Sequence, residues 1–463
     1  MVWAVLVAMI AVALCGSALR SVWRYDDPDV AEFDRSRQGQ FDFHNGVYFP
    51  ARAFVEGVSP YGEDFASRYP VTRPLPLMSP LVLVLHSPLA LLPVQTAEVV
   101  YFAINVLLLA CLAWLCVNWL PEGERRFTWW LVSLLLVVAS RAGHTTLFTG
   151  YLTVELVCGT LLALTTAHSR PWLSAIGVAV TSCKPTYAIP LFLLMLARGD
   201  WRAAWRGLGL SIVGAVLALA RLLLTATPQQ LWLDIQHGQT AHMADSYELP
   251  VNTWTRIDLL AVVAKWMEWA PGELMHLIVM VFLLPLPAIA LWQLKRAGSN
   301  PAAAGLSSSI IAVSILSTLY HHVYDALLVF PAVMGLALGE PSMQRGSRRI
   351  QWLMAALLLF VAWNYAGSEI MVKATGVSGL PLRVLTSAGP VALAAAWIAL
   401  CLLPFIGRLV SVWHWPEPVS SPNEVKSEPV LRSSNAVQTL PTRVTDVTGL
   451  WSTGKQARLH TPK

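Results

Sequence analysis

Between Gln40 and Tyr61 the chain reads Gln-Phe-Asp-Phe-His-Asn-Gly-Val-Tyr-Phe-Pro-Ala-Arg-Ala-Phe-Val-Glu-Gly-Val-Ser-Pro-Tyr, which sets Asp42 among Phe41, Phe43 and Tyr48. A carboxylate with apolar surroundings on one side and a polar loop on the other can take a proton from an attacking hydroxyl. The same residue can instead N-cap a helix over Asn45 to Glu56. Lys184 stands before Pro185, where a helix must break, and its ammonium can hold a phosphate at a membrane surface or simply snorkel to water. Arg221 has apolar residues on both sides and needs a partner, either a phosphate or Glu155. Glu155, the acid set deepest in apolar sequence, suits proton-coupled transport, a structural ion pair or a hydrogen bond. His321-His322-Val-Tyr-Asp325 can orient a phosphate or an acceptor, or cap a helix turn. His237, His242 and Asp245 form a loose grouping whose intervals match no recognised metal-ligand motif, so no metal is expected.

These groups are set in a chain of 463 residues that is 56% hydrophobic and 13% charged, about half the charge of a soluble domain. The reading is an all-α polytopic integral membrane protein. An excess of 32 basic over 27 acidic residues is too small to suggest nucleic acid as a partner. The six cysteines lie in apolar runs without a Cys-x-x-Cys pair, which argues against a disulfide framework and against structural zinc. Val2 to Leu19 is expected to be the first span rather than a cleaved signal peptide, because no Lys or Arg precedes it. Further apolar runs at 97–120, 128–141, 149–167, 171–183, 187–197, 207–224, 273–294, 303–320, 324–338, 349–366 and 386–407 bring the expected count to about twelve spans. The segment 80–93 is short and proline-broken and should lie along the surface; 257–270, with its charges and tryptophans, should be an interfacial helix. The domain 1–414 is followed by a polar tail, 415–463, expected to be disordered and cytoplasmic.

Basic residues test the threading. Arg125, Arg126, Arg170, Arg198, Arg202, Arg206, Lys295, Arg296, Arg345, Arg348 and Arg349 fall on one side, which the positive-inside rule makes cytoplasmic, with both termini. The other side receives the large first loop 20–96 and a second, 225–272. It collects Asp42, His44, Arg52, Arg141, His144, Lys184, Arg221, His237, His242, Asp245, His321, His322 and Asp325. An active centre belongs on that face.

The order of these features resembles the GT-C glycosyltransferases, specifically glycosyltransferase family 87. The matching residues are Asp42, the helix Tyr48 to Glu56, Gly57-Val-Ser-Pro60-Tyr61, Pro80-Leu81, Ser87-Pro88-Leu89-Ala90-Leu91-Leu92-Pro93, and Gly177 through Cys183-Lys184-Pro185-Thr186 to Arg198-Gly-Asp-Trp201-Arg202. The resemblance covers roughly residues 1–410. Departures are Gly150-Tyr151 where the family often has Gly-Gln, Met78-Ser79-Pro80 for Tyr-Pro-Pro, and Asn252-Thr253 for Asn-x-Ser. The resemblance implies inverting, metal-independent transfer of mannose, with arabinofuranose as the alternative, from a polyprenyl phosphate to a glycolipid or cell-envelope polysaccharide at the outer face of the plasma membrane. Asp42 would be the general base. Lys184, Arg221, Arg141 and His322 would hold the donor phosphate, and His44, Tyr61, His321, Asp325 and Asn252 the acceptor or sugar. The lipid-linked sugar would be a co-substrate, and no other cofactor is implied. Two other readings are a secondary transporter using Glu155, Arg221 and the broken helix at Lys184-Pro185, and an inactive paralogue acting as an assembly partner.

Overall fold

In the computed structural model, residues 2–23, 39–76, 78–244, 249–251, 253–297, 302–345 and 347–413 are described. Among them every regular element is helical, and the extended backbone is limited to one isolated antiparallel bridge between Arg256 and His322. Residues 1–413 form one compact unit. The tail 415–463 lies outside the described residues.

Each apolar run read from the sequence falls on a helix, but the expected count of spans is not what length and apolarity give. Six helices are long and apolar enough to cross a membrane: Val2–Val22, Val94–Val117, Trp201–Leu222, Leu274–Arg296, Arg348–Gly367 and Gly379–Phe405. A seventh arises if Glu124–Ala139 and Arg141–Thr149, bent by 65° at Ser140, are one broken span. Thr153–Thr166, Pro171–Thr181, Pro185–Arg198, Leu306–Thr318 and Val323–Leu338 are apolar but shorter. A helix of eleven residues such as Pro171–Thr181 is only about 16 Å long, against a hydrocarbon core of about 30 Å. Packing inside the bundle explains how such short pieces remain apolar, since Leu306–Thr318 is buried along its whole length.

The bend at Ser140 is built locally. Ser140 is extended, its hydroxyl accepts the Gly143 N–H (2.9 Å), and a side chain at Gly143 would collide with the Val137 carbonyl. The stretch around His144, between two apolar runs, is thus a capped helix. His144 lies on that helix and is tied to the first helix by Ser17 (2.8 Å) and Arg20 (2.9 Å). The Thr153–Thr166 and Pro171–Thr181 helices cross closely through Gly159 and Gly177, where a Cβ on Gly177 would stand 2.5 Å from the Gly159 carbonyl oxygen. Close backbone approach through small residues is how membrane helices gain packing. This crossing sets the position of the chain break at Ser182-Cys183-Lys184.

Residues 41–56 make one continuous helix with a π-helical stretch at His44–Tyr48. Pro50 has no N–H to offer the preceding turn, and the Phe49 N–H instead reaches back five residues to the His44 carbonyl. The helix ends at Gly57 in the left-handed region (φ 79°). Loops meet at two ends of the bundle. At one, Gly199 packs against Lys295, Arg198 pairs with Asp200, and His168 lies 3.2 Å from Asp200. At the other end of the Pro185–Arg198 helix, about 20 Å away at ~1.5 Å per residue, the chain gathers its polar centre.

Candidate active site

Three chain breaks converge on one carboxylate. Lys184, ahead of Pro185 at the start of its helix, places its ammonium 2.9 Å from Asp325 Oδ2, with both residues buried. The Tyr187 hydroxyl donates to Asp325 Oδ1 (2.9 Å), as does the Thr153 hydroxyl (3.3 Å). His321 Nδ1 lies 3.1 Å from Oδ2, and the His322 N–H donates to it (3.0 Å), closing the turn that opens Val323–Val329. Four tyrosine rings surround the ammonium: Tyr151, Tyr187 and Tyr324 at 5.5 Å and Tyr320 at 6.0 Å. Ring faces at this distance add electrostatic stabilisation to a buried cation.

Asp325 is therefore the counter-ion of Lys184. Its oxygens carry bonds from the protein itself, which corrects its assignment to the acceptor or sugar. Lys184 does not snorkel. His321 is fully buried with Nε2 lacking a hydrogen-bond partner, and burial, partly offset by Asp325, holds its pKa below the usual value. It orients Asp325 and does not face solvent. His322 pairs with the Thr255 hydroxyl through Nδ1 (2.6 Å) and with the Tyr320 hydroxyl through Nε2.

Asp42 occupies the first turn of its own helix, whose N-cap is Gln40, so it does not cap a helix beginning at Asn45. Glu98 holds this turn from both sides. Its Oε1 accepts the Gln40 N–H (3.0 Å) and lies 2.9 Å from His44 Nε2. His44 is buried beside Glu98. Asp42 is close enough to Tyr324 to act on it electrostatically, and Gly46, one turn on, faces Tyr151 at 3.5 Å from its Cβ position. Tyr151 and Tyr324 lie 4.9 Å apart, centroid to centroid. Both rings face the Lys184 ammonium at 5.5 Å, and Tyr324 is the one within electrostatic reach of Asp42.

Several expected members lie elsewhere. Tyr61 is buried, and its hydroxyl reaches only the Met78 carbonyl (3.4 Å), so it is a packing residue. Arg221 does not pair with Glu155. It donates to the Val55 carbonyl (3.1 Å) beside Gly57, while Glu155 is held by His86 Nε2 at 3.1 and 3.2 Å. Arg52 pairs with Glu56 and donates to the Ala90 carbonyl (3.0 Å). Arg141 donates to the Asn364 carbonyl (2.8 Å) and lines a narrow cavity with Thr255 and Arg256. His237 lies 3.6 Å from Glu63, and the His242 ring packs edge-on to Tyr320 at 5.6 Å. Asp245 and Asn252 are outside the described residues. Among the described residues no three His, Cys, Asp or Glu side chains converge as a metal-ligand set.

Sequence reasoning missed a second ionic group. Arg256 grips Asp258 through two nitrogens (2.8 and 3.0 Å), touches His276 (3.1 Å), and lies over Tyr320 at 4.7 Å. Tyr320 is thus shared with Lys184. Burial pushes the Asp258 carboxyl up, but the Arg256 guanidinium, with the Ala261 N–H and His276, more than reverses this and holds it below its ordinary range. Asp258 also caps the Leu259–Met267 helix by accepting the Ala261 N–H (3.0 Å). The available signal was Arg-Ile-Asp at a spacing of two, which puts both charges on one side of extended backbone.

Together these features define an all-helical membrane protein with an ion-paired, tyrosine-lined centre at its helix breaks and the Asp42 carboxylate within electrostatic reach of one of its rings. The family model for glycosyltransferase family 87 matches residues 78–320. The chain belongs to glycosyltransferase family 87 and is a membrane glycosyltransferase. Neither a curated protein nor a solved structure matches it.

Proposed function

We propose that the protein transfers a sugar, mannose first and arabinofuranose second, from a polyprenyl phosphate to a hydroxyl of a glycolipid or cell-envelope polysaccharide at the outer face of the plasma membrane. Asp42 takes the proton of the acceptor hydroxyl as its oxygen bonds to the anomeric carbon. The bond from that carbon to the phosphate oxygen breaks, its electron pair leaves with the phosphate, and the anomeric centre inverts. The Lys184 ammonium and the Arg256 guanidinium, both against the Tyr320 ring, supply positive charge toward the leaving group, and His322 holds the Tyr320 hydroxyl. Both termini face the cytoplasm, in keeping with the basic loops at the opposite end. The observation that carries this reading is the tyrosine-lined centre. Its Tyr324 ring lies 5.5 Å from the buried Lys184 ammonium and within electrostatic reach of the Asp42 carboxylate, which supports a base and a leaving-group stabiliser serving one site.

The test is transfer from polyprenyl-phosphate-mannose, and in parallel polyprenyl-phosphate-arabinose, to a membrane lipid extract by wild type and Asp42→Asn. Loss of a positioned base costs about 10²–10⁴ in rate, so the variant should lose at least about 100-fold. Equal transfer by both would remove Asp42 as the base. No transfer by folded wild type from either donor would remove the donor assignment and favour an inactive assembly partner.

A further inference from the structure

An open cleft of about 700 Å³ lies between the first outer loop and the helix Pro228–Ala244. Glycine lets the two walls meet: a side chain at Gly238 would strike the Leu75 carbonyl, and a Cβ on Gly62 would stand 2.8 Å from the Asp234 carboxylate. Thr225 closes one edge by donating to the Gly57 carbonyl (2.6 Å). The cleft has the size of a small-molecule site, and its chemistry is polar. Ser59, Glu63, Asp64, Gln230, Asp234 and His237 line it, with Val58, Ala226 and Leu233 the main apolar patches. The Ser59 hydroxyl is buried without a hydrogen-bond partner.

This lining selects by exclusion. Too little of it is apolar for a lipid chain. Three carboxylates against one guanidinium, Arg68, repel phosphate and other anions. Three metal ligands do not converge there among the described residues. Asp234 takes one bond from Gln230 (2.8 Å), and Glu63 and Asp64 lie 3.6 and 3.8 Å from His237 and Arg68, so carboxylate oxygens with lone pairs to spare and an exposed amide suit a neutral ligand dense in hydroxyl groups.

The cleft is joined to Asp42 by one helix. Asp42, Asn45, Phe49, Arg52 and Glu56 recur at helical spacing and keep part of their surface, while Phe43, Val47, Ala51 and Phe54 are buried. From Asp42 to Gly57 this stripe runs about 20 Å at ~1.5 Å per residue. A single sugar cannot touch both ends. We propose that the cleft binds the distal part of a neutral oligosaccharide acceptor of several units, which lies along this helix with its reacting hydroxyl at Asp42. The proposal rests on the glycosyltransferase reading above for the reacting end, while binding in the cleft is measurable without it.

The test uses the full chain in nanodiscs of neutral lipid. Binding of neutral mannose, glucose and arabinose oligosaccharides of one to six units is measured by calorimetry, with a singly sulfated hexasaccharide as the anionic control. At least one neutral series should bind more tightly with length, and the sulfated probe should bind more weakly than its neutral parent. Asp234→Ala, and separately the exposed Gln230→Ala, should each weaken the hexasaccharide at least tenfold relative to wild type. Gln230→Ala guards against misfolding of the Asp234 variant. Length-independent binding, no binding of any neutral hexasaccharide, tighter binding of the sulfated probe, or wild-type affinity in both cleft variants would each overturn the proposal. Asp42-dependent transfer with an unchanged KM in the cleft variants would remove the cleft alone. Cleft-dependent binding without transfer from a lipid-phosphate sugar would remove the transfer reading and leave the cleft.

Discussion

The Lys184–Asp325 pair should be strongly asymmetric when it is broken. Asp325→Asn leaves the ammonium buried at 5% exposure with tyrosine faces as its remaining company, and an uncompensated buried charge costs about 3–5 kcal/mol. Lys184→Met leaves the carboxylate with donors from Tyr187, Thr153 and the His322 backbone, and with His321 beside it. That variant should lose less, about 1–3 kcal/mol, the cost of one missing partner. In Lys184→Met/Asp325→Asn neither charge remains, so the double variant should be more stable than Asp325→Asn alone. The assay is denaturant unfolding in detergent micelles, arranged as a double-mutant cycle. Equal losses in the two single variants, or additive losses in the double, would refute the view that Asp325 is organised to neutralise Lys184.

Gly57→Ala should destabilise the protein by about 1–2 kcal/mol, because a left-handed conformation is strained for a residue with a Cβ. That Cβ would also stand 3.1 Å from Thr225 Cγ2 and 3.4 Å from the Arg221 guanidinium; thermal unfolding reads the loss, and Gly57→Asn should recover part of it. Lys265, on the short Leu259–Met267 helix, is buried with no hydrogen-bond partner for its ammonium, and burial with Arg256 and Arg141 nearby lowers its pKa to about 8. The unfolded chain holds this proton up to the ordinary lysine range, so between about pH 8 and about 10.4 the unfolded state binds more protons and stability rises with pH. Lys265→Met should remove that rise; an unchanged slope in unfolding experiments across this window would refute it.

The helices were legible because apolar runs leave little choice of structure, and the polar groups were legible as a set because each stands where such a run breaks. Their pairings were not. Lys184 and Asp325 are 141 positions apart, His86 and Glu155 69, Gln40 and Glu98 58, and no local pattern encodes which distant break a helix end will meet. Roles shifted accordingly. Asp325, read as a ligand group, neutralises the lysine; Arg221, read as needing a charge, is satisfied by one backbone carbonyl. The capping role considered for Asp42 failed for a local reason, since Pro50 forces a π-helical turn and the helix starts four residues earlier than a start at Asn45 would place it.

The same physics explains why the candidate centre lies at broken helices. Inside an apolar bundle an intact helix satisfies its own backbone and has no use for charge. Each break frees N–H and C=O groups that must find partners. At Ser140 the answer is a capping hydroxyl, at His322 the Asp325 carboxylate, and at Asp258 its own side chain. Once Asp325 is committed to a helix end and still carries charge, a cation must be buried against it, and Lys184 sits where Pro185 has already ended another helix. The breaks therefore concentrate acid and cation without paying for them twice, and Asp42, on a helix whose first turns carry the π-helical stretch before Pro50, comes within electrostatic reach of Tyr324, one of the rings around that cation.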